Sequence, residues 1–200
     1  MAHIDYFFAP ISPNTYLAGT RLEQIAEKHG ATISYKPLDI MALFARTGGI
    51  PPKERHISRQ EYRLQELARN AKLQGLPINP QPAHWPTNGA PAAYAAIAAA
   101  EAGGGDMGLL VHAIGRSCWA DEKDIAQDDV IRACLEEAGF DPGLADRGLL
   151  AGAEQYERNL DEAVNRGCFG APFYIVAEAD ARFWGQDRLY QLDLHLAGEL

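Results

Sequence analysis

Residues 3–16 read HIDYFFAPISPNTY and join a predicted strand directly to a predicted helix. The first half is a short run rich in aromatic residues that alternates in the manner of a β-strand and stops at Pro10. Ser12 followed by Pro13 is typical of a helix start, because serine caps free N–H groups and proline fits the first helical position. The stretch therefore predicts a strand whose carboxyl end leads into a capped helix.

The segments around this motif predict both halves of a small sheet. The helix is predicted to continue to His29-Gly30, and residues 31–38 form the second predicted strand. A strand, a crossover helix and a second strand imply parallel pairing. Further strands are predicted over 173–176 and 182–184, with a last helix over 186–197.

Between these two halves the chain reads as helical from about residue 40 to 166. The order β-α-β, helical block, β-β-α predicts an α/β protein of thioredoxin-like fold with a large helical insertion. We expect residues 1–40 and 167–200 to form the thioredoxin-like domain and residues 41–166 the inserted helical domain. The individual helices are predicted over 58–73, 90–102, 106–119, 126–138 and 152–166, with a loop over 76–88.

Charge and hydropathy exclude several classes of function. The 200 residues carry a net charge of −9, which argues against general nucleic-acid binding. The sequence has no membrane-length apolar run and no secretory signal, so a cytoplasmic protein without a membrane partner is expected. Residues 46–72 are nevertheless net +4, and Arg55, Arg59 and Arg63 crowd one predicted helix face. This basic segment is either a solvated helix face or a place that attracts a small anion.

The cysteines, histidines and glycines predict no metal, disulfide or nucleotide site. Three cysteines without a C-x-x-C spacing argue against a disulfide framework or a zinc site, so we expect buried, inert thiols. The histidines show no metal-ligand spacing. The G-x-G-x-x-G pattern at 103–108 follows a predicted helix instead of a strand, which favours a turn over a dinucleotide site. The cysteines are Cys118, Cys134 and Cys168.

Ser12 and Ala171 are the candidate site residues. Ser12 lies at the carboxyl end of the first strand, where open α/β sheets bind ligands, and a thiol bound there would favour its thiolate form. Plain helix capping is the alternative interpretation of Ser12. Ala171 precedes Pro172 at the start of a strand, and a cis peptide bond there would present the alanine backbone to a ligand. An ordinary edge-strand start is the alternative interpretation.

Three further motifs occur in order along the chain: Ser12–Tyr16, Phe169–Pro172 and Phe183–Leu189. Together they resemble the 2-hydroxychromene-2-carboxylate isomerases, which are relatives of kappa-class glutathione transferases in the thioredoxin-like disulfide-oxidoreductase superfamily. The resemblance runs from residue 3 to about 197. In the disulfide oxidoreductases a C-x-x-C stands where residues 12–15 stand here, so thiol–disulfide exchange is lost and the sulfur would come from glutathione.

The resemblance implies glutathione as cofactor, a small aromatic electrophile as second ligand and a homodimer as assembly. Ser12 would stabilise the glutathione thiolate, and Ala171 beside a cis-Pro172 would pair with the cysteinyl unit. The implied reaction is reversible addition of sulfur, rotation about the resulting single bond and elimination. The segment implied to bind the γ-glutamyl end comprises Trp184, Gly185, Gln186 and Asp187.

The chain also departs from the isomerase pattern. Ala45 and Gly49 stand where the isomerases carry a Lys and an Asn that are expected to engage substrate or cofactor. Arg46 is the neighbouring cation, and Trp85 could wall an aromatic pocket or simply pack in the core. A kappa-class-like transferase or peroxidase, and a non-catalytic thioredoxin-fold binding protein, are the alternative functions.

Overall fold

The computed structural model describes residues 1–200 and contains one four-stranded sheet in the order β2-β1-β3-β4. β1 is parallel to β2 and antiparallel to β3, and β3 is antiparallel to β4. The predicted parallel unit and the predicted C-terminal hairpin are therefore confirmed, and both contribute to a single thioredoxin-like sheet. The strands are β1 (His3–Phe8), β2 (Thr32–Pro37), β3 (Phe173–Val176) and β4 (Ala181–Trp184).

Ten α-helices surround this sheet, and seven of them, α3 to α9, lie between β2 and β3 in the chain. None of the ten is both long enough and apolar enough to cross a membrane. Short 3-10 turns occur at Pro52–Glu54 and Gln186–Arg188. The helices are α1 (Pro13–Ala18), α2 (Arg21–His29), α3 (Ile40–Thr47), α4 (Ile57–Gln74), α5 (Ala90–Ala102), α6 (Met107–Trp119), α7 (Asp128–Glu137), α8 (Leu144–Arg147), α9 (Leu149–Asn165) and α10 (Leu189–Leu196).

The first predicted helix is wrong in one respect, because it is broken into α1 and α2. Gly19 ends α1 with φ 59° and ψ −137°, a conformation that glycine adopts without steric cost. The N–H of Gly19 donates to the Tyr16 carbonyl, and α2 starts after Thr20. α1 therefore has only six residues, so the dipole expected of a longer helix is confined to about two turns.

The main hydrophobic core joins the sheet to the helical segment and fixes α1. Gly115 on α6 lets α1 approach closely, since a Cβ there would lie 3.0 Å from the Cβ of Tyr16. The Tyr16 hydroxyl donates to the Pro77 carbonyl at 2.6 Å, and its ring stacks on His112. One core cluster includes residues from both parts of the chain. The division into a thioredoxin-like domain and an inserted domain stays a prediction.

A second, smaller core and a group of ion pairs attach α9 to the other face of the sheet. The buried carboxylate of Asp5 lies 2.9 Å from the Lys36 ammonium and pairs with Arg166. The side-chain amide of the buried Asn159 donates to the Pro37 carbonyl at 2.9 Å. These contacts hold the carboxyl end of β2 and the inner strand β1 against the helical segment.

Candidate functional site

Ser12 forms the link between the two candidate site elements. It is the N-cap of α1, where its Oγ accepts a hydrogen bond from the Thr15 N–H at 3.4 Å. The same hydroxyl donates to the Ala171 carbonyl at 3.3 Å. Ser12 is 8% exposed and Ala171 9% exposed. Residues 159 positions apart in the chain therefore meet at one point.

The sheet topology explains why these two residues meet. β1 and β3 are antiparallel, and Phe7 is the register partner of Phe173. The carboxyl end of β1, which leads to Ser12, thus adjoins the amino end of β3, which follows Ala171. The Ala171–Pro172 peptide bond is cis. The sequence motif left this open, and the resemblance implied it.

A cavity of about 590 Å³ opens beside this junction. Ser12 and Ala171 line it together with the four residues that the resemblance connected with the γ-glutamyl end of glutathione. Trp85, from the loop before α5, lines it as well. The predicted site residues are therefore brought to one cavity, with two exceptions.

Pro172 and Arg46 are the two exceptions. Pro172 does not line the cavity itself and contributes through the cis bond that it forms. Arg46 points away, and its guanidinium donates to Asp161 on α9 at 2.6 Å. Arg46 does not line the cavity, because neighbouring helix positions lie about 100° apart and α3 turns Met41 and Phe44 to the cavity. Its substrate role stays a prediction that this position does not favour.

The segment after β4 forms a supported wall of the cavity. Gln186 is buried, and its side-chain oxygen accepts a hydrogen bond from Arg21 at 2.6 Å. Arg21 also donates to the Leu17 carbonyl at 2.9 Å, so it ties this wall to α1. Asp187 is exposed and paired with Arg188. Sequence reasoning missed Arg21, because nothing in its local sequence predicts a partner so far along the chain.

Trp184 and Gly185 complete this wall. Trp184 is 52% exposed, and its ring packs edge-on against Phe169 at a centroid distance of 4.8 Å. Gly185 has φ 97°, and its N–H donates to the Pro172 carbonyl at 2.9 Å. A large, partly exposed aromatic side chain therefore stands at the edge of the cavity beside Ala171.

The cavity lining also contains basic residues whose role the sequence left open. Arg55, Arg59 and Arg63 all line the cavity, so the basic segment is not simply a solvated helix face. Trp85 lies beside them, with its indole N–H donating to the Ile11 carbonyl at 3.1 Å. The four-residue spacing of these arginines predicted that they lie on one face, but only the structure shows that all three line the cavity.

The chain's own thiols are absent from the cavity lining. All three cysteines are buried, as predicted. Burial raises the pKa of Cys118 and that of Cys168 to about 12, and it also raises the pKa of Cys134. A thiolate in this cavity would have to arrive with a ligand.

Comparison with known proteins agrees with this architecture. The chain matches the DSBA-like thioredoxin domain family over residues 3–197. It is 29% identical over 196 residues to 2-hydroxychromene-2-carboxylate isomerase from Sphingobium xenophagum, a match that covers 96% of this chain and 97% of that protein.

Solved structures show the same fold. A 2-hydroxychromene-2-carboxylate isomerase superposes with a TM-score of 0.79 at 23% identity, over 98% of this chain and 95% of that one. The cytosolic disulfide reductase DsbM from Pseudomonas aeruginosa, solved with GSH, superposes with a TM-score of 0.69 at 18% identity, over 98% and 96%. The predicted resemblance is confirmed, and the chain belongs to the DSBA-like thioredoxin domain family.

Proposed function

We propose that this protein is a glutathione-dependent isomerase that acts on a conjugated aromatic carboxylate. The observation that carries the proposal is the position of Ser12, whose hydroxyl joins α1 to Ala171 at the wall of the cavity. The isomerase name of the relative from Sphingobium xenophagum supports an enzyme of this type.

The residues around Ser12 suit the cysteinyl unit of glutathione. The Ser12 hydroxyl can turn from the Ala171 carbonyl to a bound sulfur and donate its hydrogen bond there. A hydrogen bond to the charged form lowers the pKa of a thiol and so favours the thiolate. The Ala171 carbonyl is then free to accept a hydrogen bond from the N–H of the bound peptide.

The remaining walls suit the other parts of the tripeptide. The carboxylate of Asp187 is exposed beside the cavity and can pair with the γ-glutamyl ammonium. Arg21 holds Gln186 in place, so this wall is preorganised before a ligand arrives. DsbM, a protein of the same fold, has been solved with GSH.

The reaction is a reversible addition without net oxidation or reduction. Glutathione supplies a thiolate whose S–C bond to the conjugated system forms and later breaks, so that the former double bond is single while it rotates. Ser12 hydrogen-bonds the sulfur both before the addition and after the elimination. The hemiketal ring of the chromene substrate opens first: its ring C–O bond breaks, the hydroxyl proton passes to the phenol oxygen, and a carbonyl conjugated with the double bond results. The electron pair of the double bond then moves toward this carbonyl during addition and returns on elimination.

Calorimetric titration of glutathione into the protein tests the proposal. We expect saturable binding and a glutathione requirement for conversion of 2-hydroxychromene-2-carboxylate to its open-chain isomer. Absence of binding at millimolar glutathione would overturn the proposal. A stable glutathione conjugate or oxidised glutathione as the product would instead identify a transferase or a peroxidase.

A further inference from the structure

One face of α4 turns a polar stripe toward the cavity. Arg59, Arg63, Glu66 and Asn70 line the cavity at spacings of four, three and four residues. This spacing places all four side chains on the same face of a helix. Arg55, from the segment just before α4, extends the stripe toward the loop.

The cations of this stripe lack carboxylate partners. No carboxylate oxygen lies within 4.0 Å of Arg55, Arg59 or Arg63, whereas eight other arginines of the chain form ion pairs. Arg55 donates to a backbone carbonyl, that of Ile50, at 2.8 Å. In a chain of net charge −9, three unpaired guanidinium groups in one cavity make this wall suited to an anion.

Arg63 is the arginine of this stripe that has a buried hydrogen-bond donor without an acceptor. Its guanidinium lies over the ring of Trp85 at 4.9 Å and near that of Trp119 at 5.7 Å. Its Nη2 atom is buried and has no hydrogen-bond partner. Burial, followed by the charge of Arg55, lowers the pKa of Arg63. Arg63 nevertheless lines the cavity and has no carboxylate partner, so a ligand anion there would accept hydrogen bonds from the accessible part of its guanidinium group.

Two walls of the cavity are anchored to backbone carbonyls that lie before and after Ser12 in the sequence. One is the basic wall, formed by Arg55, Arg59, Arg63 and Trp85, and the other is the segment after β4. Trp85 is hydrogen-bonded to the carbonyl of Ile11, which precedes Ser12. Gln186 is tied through Arg21 to the carbonyl of Leu17, at the far end of α1. A ligand whose sulfur is held at Ser12 and whose peptide backbone runs past Ala171 toward Gln186 would leave the basic wall free for a second molecule.

We propose that Arg59 and Arg63 bind the carboxylate of the second substrate while Trp85 contacts its planar unsaturated part. This inference rests on the proposed function, because it assigns glutathione to the Ser12 and Gln186 side of the cavity. The substrate class that fits is a conjugated acid whose anionic group is attached to a planar system. Planar guanidinium groups match a carboxylate geometrically better than an ammonium group does.

Two isosteric probes separate charge from shape. Cinnamate and cinnamamide share a planar skeleton and differ in a single negative charge. We would titrate each into the protein saturated with S-methylglutathione, which cannot add to a double bond. The variants are Arg59→Gln and Arg63→Gln, and Arg69→Gln is the matched control. Arg69 lies on the same helix outside the cavity lining and donates to Gln65.

We expect the wild type to prefer cinnamate over cinnamamide by about tenfold or more. Arg63→Gln should remove most of this preference, Arg59→Gln part of it and Arg69→Gln none of it. Arg63→Lys should restore the charge preference incompletely, because lysine lacks the planar fork. Arg59 is exposed, so the Arg59→Gln result does not depend on a change in folding.

Two results would overturn the inference. One is an unchanged preference for cinnamate in both cavity variants. The other is a loss of S-methylglutathione affinity in Arg59→Gln and Arg63→Gln with the cinnamate preference intact, which would assign the stripe to the glycyl carboxylate of glutathione. If the wild type binds no glutathione, the proposed function fails, and the same titrations without S-methylglutathione still decide whether the stripe recognises a carboxylate.

Discussion

Replacing Ser12 by Ala separates the capping role of this residue from its proposed chemical role. Both hydrogen bonds of its hydroxyl, 3.4 Å from the Thr15 N–H and 3.3 Å to the Ala171 carbonyl, are longer than the usual 2.7–3.2 Å range. Loss of an N-cap costs about 0.5–2 kcal/mol, and such long bonds place Ser12→Ala near the lower end. We therefore expect the Tm to fall by roughly 1–4 °C.

The expected effect on turnover is much larger. A single donor to a developing or resident negative charge is worth about 10²–10³ in kcat, or roughly 2.7–4 kcal/mol. We expect Ser12→Ala to lose at least about 10² in kcat/KM. The pKa of bound glutathione, measured by thiolate absorbance, should lie below the usual thiol value of about 8.5 in the wild type and rise in the variant.

Asp106 provides the matched control. It caps α6 with a hydrogen bond of 2.9 Å from the Leu109 N–H and does not line the cavity. Asp106→Ala should destabilise the protein by about 1 kcal/mol, and it should leave kcat/KM unchanged. If Ser12→Ala binds glutathione and turns over substrate at the wild-type rate, Ser12 is only a helix cap and the reasoning is refuted.

Three further predictions concern other parts of the molecule. Burial raises the pKa of Glu23, so this group destabilises the fold progressively as pH rises above its unfolded value of about 4.3. Glu23→Gln should flatten that decline in urea unfolding measured at several pH values. Burial alone would raise the pKa of Asp5, but hydrogen bonds from Arg166 and Lys36 outweigh this effect and lower the pKa. Asp5→Asn should cost about 2–3 kcal/mol at neutral pH, and the difference from wild type should vanish as pH falls through the folded pKa. A Cβ at Gly170 would lie 2.4 Å from the indole nitrogen of Trp184, so Gly170→Ala should weaken glutathione binding roughly tenfold in calorimetry with little change in Tm.

Local signals predicted much of the fold and the position of Ser12 at the start of α1. Ser12 is recognisable because a capping serine before Pro13 is a short-range pattern, and the sheet is recognisable because its strands are compact apolar runs. The segment after β4 was found only through its resemblance to a family, and the same resemblance favoured one of the two interpretations of Ala171. A resemblance depends on matching motifs. It assigns a role to a residue but does not say which other residues contact it.

The parts that were missed depend on distant contacts. Glycine can adopt the backbone conformation of Gly19 at any position of a chain, so the residue type alone does not predict a helix break. The close packing of α1 against Gly115 of α6 is visible only in the structure. Arg46 is adjacent to the expected position, yet its partner Asp161 lies 115 residues away. The guanidinium group of Arg63 packs against two tryptophan rings from other parts of the chain, which the local sequence does not predict. Sequence periodicity predicts which face of a helix carries such residues, but it does not predict which residues of other elements pack against that face.

The separation of 159 residues between Ser12 and Ala171 has a consequence for how the protein completes its fold. The cavity cannot exist until β3 and β4, near the end of the chain, have joined β1, and such long-range pairing is slow to form. A ligand that contacts both sides would act as a noncovalent staple between the chain's two ends. At about 100 times its Kd, the ligand would add roughly 2.7 kcal/mol of stability. The stability of the completed fold would thus increase with the concentration of its ligand.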